Sequence, residues 1–305
     1  MPRRITVRRR PEKRLTEQRN PASRNLDRMT SLQLVRLMNH EDRKVAVAVR
    51  RELPAIARAV DAIVDRMRKG GRLIYVGAGS SGRIGVLDAS ECPPTFGVSP
   101  DRVRALIAGG KTALTESVEG AEDRTKAAVH DLKKIAVQKN DIIVGLAASG
   151  TTPYVLAAVA YAKRRGALTI GLTVNRTSPL GRAVRIAIAP AVGPEVLTGS
   201  TRLKAGTAQK MVLNMLSTAT MVKLGHAYDN LMIDLGKTNV KLKDRSRRIL
   251  ELATGRSVSA VEHALRQSKH DLRVALVMLK RHVSAAQALK RLNDAEGNLR
   301  RALGE

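Results

Sequence analysis

Short apolar runs that end in glycine or serine recur through the middle of the chain. They lie at 72–76, 103–108, 141–146, 168–174 and 184–190, and stretches with helical periodicity separate most of them. An apolar run of this length between turn residues is typical of a buried strand. Strands that alternate with helices form a parallel sheet with helices on both faces. The pattern therefore predicts an α/β fold in which helices flank a parallel five-stranded sheet.

Helical periodicity dominates on either side of this region. Residues 45–69 carry apolar side chains at every third or fourth position, and Pro54 predicts a kink or a break into two helices there. A long helix is expected around 202–225. From about 245 onward the pattern is purely helical, which predicts a small C-terminal helical domain.

These patterns divide the chain into three parts, and the chain as a whole is strongly basic. Residues 1–20 are expected to form a basic flexible extension, 21–240 the α/β domain and 241–305 the helical domain. The chain carries 55 Lys and Arg against 27 Asp and Glu, a net charge of +28. The excess is spread along the chain, which favours a solvated Arg-rich surface over a dedicated nucleic-acid patch. Contact with a polyanion stays open as the alternative.

Several classes of protein fit this composition poorly. Four Tyr, one Phe and no Trp leave few aromatic platforms for stacking bases, so we expect no specific nucleic-acid partner. Cys92 is the only cysteine, and the six histidines show no ligand spacing, so we expect neither a disulfide nor a metal site. With a single cysteine, a reducing cytoplasm fits best. We expect no secretory signal, because no apolar stretch follows the basic N-terminus, and no membrane helix, because no uncharged apolar run reaches roughly 18 residues.

Two glycine–serine loops follow two of the predicted strands. The first, GAGSSGR at 77–83, holds Ser80 and Ser81, and AASGTTP at 147–153 holds the second set. Loops at the carboxyl ends of neighbouring parallel strands meet, and backbone N–H groups at a helix N-terminus attract an anion. We therefore expect a phosphate to bind these residues: Ser80, Ser81, Ser149, Thr151 and Thr152.

Two other interpretations of these loops are a helix cap and a nucleotide-binding motif. A serine before a helix is usually only a cap, although two loops on one sheet favour a phosphate site. The first loop also matches G-x-G-x-x-G, but no acidic residue ends a second strand about 20 residues later, and no Walker lysine is present. A nicotinamide or nucleotide cofactor is therefore not expected.

A third segment of similar character opens the long helix. The run TGSTRLKAGT at 198–207 offers Ser200, Thr201 and Lys204 as a third wall of the phosphosugar site. The alternative is a capped core helix whose cations are solvated.

Candidate catalytic carboxylates follow the first two strands. Glu91 lies in DASECPPT, where two prolines are expected to break a helix and hold the glutamate in a rigid turn. Glu119 and Glu122 lie three residues apart and would share one helix face. The alternatives are a solvated Glu91 and a helix N-terminal charge at Glu122. Cys92 is interpreted as buried filler rather than as a nucleophile.

Together these runs resemble the N-acetylmuramic acid 6-phosphate etherases over residues 15–300. The matching stretches are LIYVGAGSSGRIGVLDASECPPTFG, IAGG, SVEGAED, VGLAASGTTPYV, TGSTRLKAGTAQKMVLNMLSTATM and NLMIDL. The GAGSSGR run alone would indicate only a sugar isomerase (SIS) domain, whereas DASECPPT and VEGAED are specific to the etherases. The basic first residues extend beyond the usual start of the family, and the net charge exceeds what is expected for it.

The resemblance implies a lyase with an SIS-type, flavodoxin-like sheet and no cofactor, working as a homodimer. Such an enzyme cleaves the D-lactyl ether of N-acetylmuramate 6-phosphate, giving N-acetylglucosamine 6-phosphate and D-lactate in cell-wall amino-sugar recycling. By the motif match Glu91 protonates the departing lactate, and Glu122 is the second catalytic carboxylate, taken as the C2 base. The alternatives are a noncatalytic sugar-phosphate sensor and an aldose–ketose phosphosugar isomerase. A sensor would normally carry a helix-turn-helix domain, for which residues 1–70 offer too little.

Overall fold

The computed structural model describes residues 15–234, 240–295 and 297–305, so most of the basic extension expected at 1–20 lies outside the described residues. A five-stranded sheet organises the larger part of the chain. Its order is β2-β1-β3-β4-β5, and every neighbouring pair is parallel. This is the doubly wound order of flavodoxin-like proteins. The strands are β1 (Leu73–Gly77), β2 (Val103–Ile107), β3 (Ile142–Leu146), β4 (Leu168–Leu172) and β5 (Ile186–Ile188).

Helices cover both faces of the sheet, as the strand pattern predicts. Along β1, Leu73 and Tyr75 enter one core, whereas Ile74 and Val76 enter the other, because side chains alternate across a strand. The first core packs against α1, α2, α3 and α7, and the second against α4, α5 and α6. These helices are α1 (Ser31–Arg50), α2 (Leu53–Arg68), α3 (Gly79–Phe96), α4 (Thr125–Lys134), α5 (Pro153–Arg164), α6 (Pro179–Ala183) and α7 (Lys204–Lys223).

The remaining helices bury a core of their own. A hairpin of two short strands, each of two residues, precedes them. The buried core of the helices includes Tyr228 and Ile233, which both lie before the expected boundary at residue 241. That boundary stays a prediction. None of the helices in the described part of the chain is long and apolar enough to cross a membrane. The elements are β6 (Ala227–Tyr228), β7 (Leu231–Met232), α8 (Val240–Thr254), α9 (Val258–Gln267), α10 (Leu272–Arg281), α11 (Ala285–Asp294) and α12 (Leu299–Leu303).

Two details near the candidate site differ from the sequence prediction. The helix α3 is not broken at Pro93 and Pro94 but runs through both to Phe96. Both prolines lie in its last two turns, and the carbonyl of Pro93 still accepts a hydrogen bond from Gly97 N at 2.9 Å. The helix ends where Gly97 adopts a positive φ of 63°. Glu91 therefore lies on a regular helix rather than in a turn.

The acidic run also departs from the expected helix. Glu119 and Glu122 do not share a helix face, because Gly120 between them has a φ of 67°. The turn Ala121–Asp123 is a short 3₁₀ helix, and α4 begins only at Thr125. Glu119 and Glu122 consequently lie on a loop at the carboxyl edge of the sheet.

Candidate functional site

A cavity of about 290 Å³ opens at the carboxyl edge of β1 and β3. These are the strands between which the chain order of the sheet reverses, the usual ligand position in such folds. The loops after both strands line it, together with the acidic loop and the segment before α7. Its lining includes six of the sequence-predicted site residues: Ser80, Ser81, Glu122, Ser149, Thr152 and Thr201.

Close packing brings the first loop against the start of α3. A β-carbon on Gly77 would lie 2.7 Å from the backbone N of Gly82, so only glycine allows this tight turn. Ser80 and Ser81 thereby fall in the first turn of α3, where backbone N–H groups have no partner within the helix.

The capping explanation for these hydroxyls does not fit the geometry. Ala78 precedes α3 and Thr152 precedes α5, and neither helix receives a capping hydrogen bond from the side chain at that position. The two N-termini consequently meet the cavity with backbone donors and hydroxyl groups that suit an anion.

Within the second loop, Ser149 and Thr151 play different parts. Ser149 lines the cavity, whereas Thr151 is exposed and does not. Their hydroxyl oxygens lie 2.9 Å apart, and Thr151 N donates to Ser149 Oγ at 3.2 Å. Thr151 thus contacts Ser149 through both its hydroxyl and its backbone N but does not itself line the cavity.

The third predicted wall contributes less than the sequence suggests. Thr201 lines the cavity but Ser200 does not. The N-terminus of α7 is occupied, because Glu195 accepts hydrogen bonds from Lys204 N and Ala205 N at 3.0 and 2.9 Å. Burial raises the pKa of Glu195, against these hydrogen bonds.

Lys204 is not available to a ligand, which corrects its predicted substrate-binding role. Its side chain is 2% exposed, and Nζ donates to Glu41 Oε2 at 2.6 Å. Asn20 donates to the same oxygen at 3.0 Å. For Lys204 itself both expected roles are wrong, since it is neither a phosphate ligand nor a solvated cation.

The two predicted catalytic carboxylates lie in different cavities of the chain. Glu122 lines the larger one. Glu91 is exposed on α3 and lines a cavity of about 180 Å³ between α3 and α7, with Asp88 and Lys210 among its neighbours. The described residues of one chain thus do not bring Glu91 and Glu122 to a common cavity.

Asp88 also lines the smaller cavity. It accepts hydrogen bonds from Tyr75 Oη at 2.8 Å and from Ser217 Oγ at 3.1 Å. Burial raises the pKa of Asp88, and both hydrogen bonds oppose that rise. Three elements, β1, α3 and α7, are thereby tied together one helical turn before Glu91.

Sequence reasoning missed three polar or charged side chains of the larger cavity: Arg83, Glu116 and Ser117. Arg83 directly follows the glycine–serine run, and Glu116 and Ser117 open the acidic run, so proximity to both motifs was the available signal. Within 15–234, 240–295 and 297–305, no group of three or more His, Cys, Asp or Glu side chains has metal-binding geometry.

Family models match the region that builds this site. A model of the glucokinase regulatory protein N-terminal SIS domain matches residues 55–163, and the SIS domain model matches 122–219. Both lie within the segment that contains the five-stranded sheet and its loops.

Full-length relatives are much closer. The chain is 54% identical, over 95% of its length and 98% of theirs, to proteins named N-acetylmuramic acid 6-phosphate etherase from Yersinia pestis (strain Pestoides F) and Yersinia pseudotuberculosis serotype O:1b (strain IP 31758). Among solved structures, a phosphoheptose isomerase from Francisella tularensis superposes with a TM-score of 0.51 at 19% identity, covering 64% of this chain and 100% of that one. The latter likeness confirms the SIS-type fold.

Proposed function

The chain belongs to the N-acetylmuramic acid 6-phosphate etherase family, and from this membership we propose that it is a lyase of amino-sugar recycling. It cleaves the D-lactyl ether of N-acetylmuramate 6-phosphate and yields N-acetylglucosamine 6-phosphate and D-lactate. The observation that carries the proposal is the placement of Glu122 on the same cavity as two helix N-termini without side-chain caps.

The phosphate binds at the N-termini of α3 and α5. Hydroxyl groups of Ser80, Ser81, Ser149 and Thr152 line the cavity there, and unpaired backbone N–H groups of both helices add donors. The helix dipoles favour a negative charge at this position. Binding energy from the phosphate, remote from the reacting bond, holds C2 and C3 of the sugar at the carboxylates.

Two carboxylates suffice for the reaction that follows. In the ring-opened sugar, C2 lies next to the C1 aldehyde, so a base can remove the C2 proton. The electron pair forms a C2–C3 double bond, and the C3–oxygen bond breaks as lactate leaves with a proton from an acid. Water then adds to C3 of the unsaturated aldehyde and returns a proton to C2. We assign the C2 base to Glu122 and the acid to Glu91.

A homodimer would supply both carboxylates to one site. Glu91 lies on an exposed face of α3 beside Leu87, whose side chain is 48% exposed. Leu32 and Val35 on α1 are likewise more than half exposed. Exposed apolar side chains of this size are a feature of protein interfaces. In the proposed dimer a second copy would pack over Leu87 and Glu91 of α3, so that its own Glu91 reaches the cavity that holds Glu122.

The cellular compartment and the division into domains are also part of the proposal. We place the enzyme in the cytoplasm, where its single cysteine stays a free thiol, in keeping with a reducing compartment. Residues 21–240 would form the catalytic domain and 241–305 a helical domain.

Release of D-lactate from N-acetylmuramate 6-phosphate tests the proposal. We expect lactate from the wild type and at least a 10²-fold lower rate, in the range of general acid–base catalysis, from Glu122→Gln and from Glu91→Gln. Glu119→Gln is the matched control, because this carboxylate is exposed on the same loop but does not line the cavity. A wild type that interconverts an aldose and a ketose phosphate without releasing lactate would instead be an isomerase. Tight binding without turnover would indicate a sensor.

A further inference from the structure

The guanidinium group of Arg83 connects two parts of the larger cavity: α3, whose first turn carries Ser80 and Ser81, and the segment that leads to Glu122. Arg83 Nε donates to the carbonyl oxygens of Ala113 and Leu114 at 2.9 and 3.1 Å, and Nη2 donates to the carbonyl of Glu116 at 2.7 Å. Arg83 lies on α3, two residues after Ser81 of the phosphate loop. The three acceptors lie on the loop that carries Glu122.

These three carbonyls have few other partners. The 3₁₀ helix Gly110–Leu114 ends here, and Thr115 N and Glu116 N both donate to the carbonyl of Thr112. In the part of the chain that the structure describes, no backbone N–H outside that helix donates to the carbonyls of Ala113, Leu114 or Glu116. Arg83 therefore supplies the hydrogen bonds that fix the path of this loop.

Packing holds the other side of the same loop. A β-carbon on Gly109, which has a φ of 88°, would lie 3.0 Å from Val118 Cβ and 3.1 Å from Ala113 Cβ. Beyond Val118 the chain turns at once, since Ala121 N donates to the carbonyl of Val118 at 3.3 Å. Glu122 comes directly after Ala121. Its position along the cavity thus depends on the segment that Arg83 clamps.

We propose that Arg83 is a positioning residue that sets the distance between the bound phosphate and the carboxylate of Glu122. This role rests on the function proposed above and deepens it. One planar guanidinium spans three carbonyl oxygens of the acidic loop while its backbone belongs to the phosphate-binding helix. Lysine cannot reproduce this, because its single ammonium group is a point donor without a fixed fork.

The expected signature separates positioning from ligand binding. In Arg83→Ala, kcat for lactate release falls about 10²-fold, the cost of a misplacement near 1 Å. The affinity for N-acetylglucosamine 6-phosphate, measured by calorimetry, changes less than about threefold, because the phosphate loops are untouched. Added guanidinium chloride at tens of millimolar restores part of kcat, since the free cation can bridge the same carbonyls. Arg83→Lys loses at least about tenfold in kcat.

The control is Arg58→Ala, which removes an equal charge from an exposed position on α2 and leaves every parameter at the wild-type value. An unchanged kcat in Arg83→Ala, a parallel loss of product affinity, or a failure of guanidinium rescue would each overturn the positioning role. Should Arg83→Ala not fold, Arg83→Lys decides on the kcat and affinity criteria. A wild type that releases no lactate refutes the proposed function itself, which distinguishes that failure from a failure of the Arg83 role.

Discussion

Lys204 Nζ and Glu41 Oε2 form a buried ion pair 2.6 Å long, and each side chain is only 2% exposed. Glu41 lies on α1 and Lys204 opens α7, so the pair joins two helices through residues that are 163 positions apart in the chain. Thr201 lies three residues before Lys204 and lines the larger cavity. The ion pair therefore fixes the position of the segment from which Thr201 reaches the larger cavity.

Breaking this pair should be costly for stability. Lys204→Met leaves the carboxylate of Glu41 buried with fewer donors, and we expect the free energy of unfolding to fall by about 3–5 kcal/mol. Urea denaturation followed by circular dichroism measures the change. Lys223→Met is the matched control, because its ion pair with Asp61 at 3.2 Å is solvent-exposed and worth at most about 1 kcal/mol.

The double variant Glu41→Leu with Lys204→Met distinguishes a lost attraction from an uncompensated charge. Replacing both partners removes the isolated carboxylate, so most of the lost stability should return. A double variant no more stable than Lys204→Met would show that the loss does not come from the uncompensated carboxylate of Glu41.

Glu41 also predicts a specific acid sensitivity. Burial works to raise its pKa, but the hydrogen bonds from Lys204, Lys44 and Asn20 outweigh burial and lower the pKa to about 2. A carboxyl whose folded pKa lies below its unfolded value of 4.5 contributes stability above pH 4.5 and loses it as the pH falls toward 2. The contribution is about 3 kcal/mol at neutral pH.

Glu41→Gln should flatten this part of the acid unfolding profile. We expect the wild-type free energy of unfolding to drop more steeply than that of the variant between pH 4.5 and 2. Equal slopes for the two proteins over this interval would contradict the assigned pKa.

The sharing of one site between two chains has a quantitative test. If Glu91 and Glu122 at each site come from different chains, a heterodimer of Glu91→Gln and Glu122→Gln contains one intact site and one doubly altered site. Random mixing of the two inactive variants then restores about a quarter of the wild-type lactate release. Mixing should follow dissociation and reassociation of both proteins. No recovery in a mixture shown to contain heterodimers would place both carboxylates of a site in one chain.

The sheet was predictable because its signal is local. Each strand is a short apolar run between turn residues, and the structure has strands within one residue of the predicted starts at 72, 103, 141 and 168. The last strand, Ile186–Ile188, is shorter than the predicted 184–190, as befits an edge strand with one neighbour. Convergence of the two glycine–serine loops followed from topology alone.

Long-range partners were not predictable in the same way. Nothing near Lys204 in sequence indicates Glu41, so its charge suggested a phosphate ligand. The helix α3 likewise continues through Pro93 and Pro94, although each proline removes one backbone donor, so the prolines alone did not indicate where the helix ends. Arg83 ends the GAGSSGR run, but nothing in the sequence indicates its partners, since they are backbone carbonyls that any sequence carries.

In the loop after β3, the hydroxyl groups of Ser149 and Thr151 should affect KM differently. Ser149 lines the cavity, so Ser149→Ala should raise KM for N-acetylmuramate 6-phosphate about tenfold or more, the value of a hydrogen bond to a charged group. Thr151→Val loses only the support at 2.9 Å and should raise KM less than about threefold. Steady-state lactate release measures both. A larger effect at Thr151 than at Ser149 would mean that Thr151 is itself a phosphate ligand.

Cys92 should be chemically inert in the folded protein despite its position next to Glu91. Burial, followed by the negative charge of Asp88, raises the pKa of the thiol to about 12. At pH 8 the thiolate fraction is then about 10³-fold below that of a free thiol, and alkylation slows accordingly. Mass spectrometry after iodoacetamide treatment should show modification only once the protein is unfolded in urea. Cys92→Ala should keep lactate release, because the sulfur packs in the core and donates to the carbonyl of Asp88 at 3.3 Å. Rapid labelling of the native protein together with an inactive Cys92→Ala would instead give this thiol a role in catalysis.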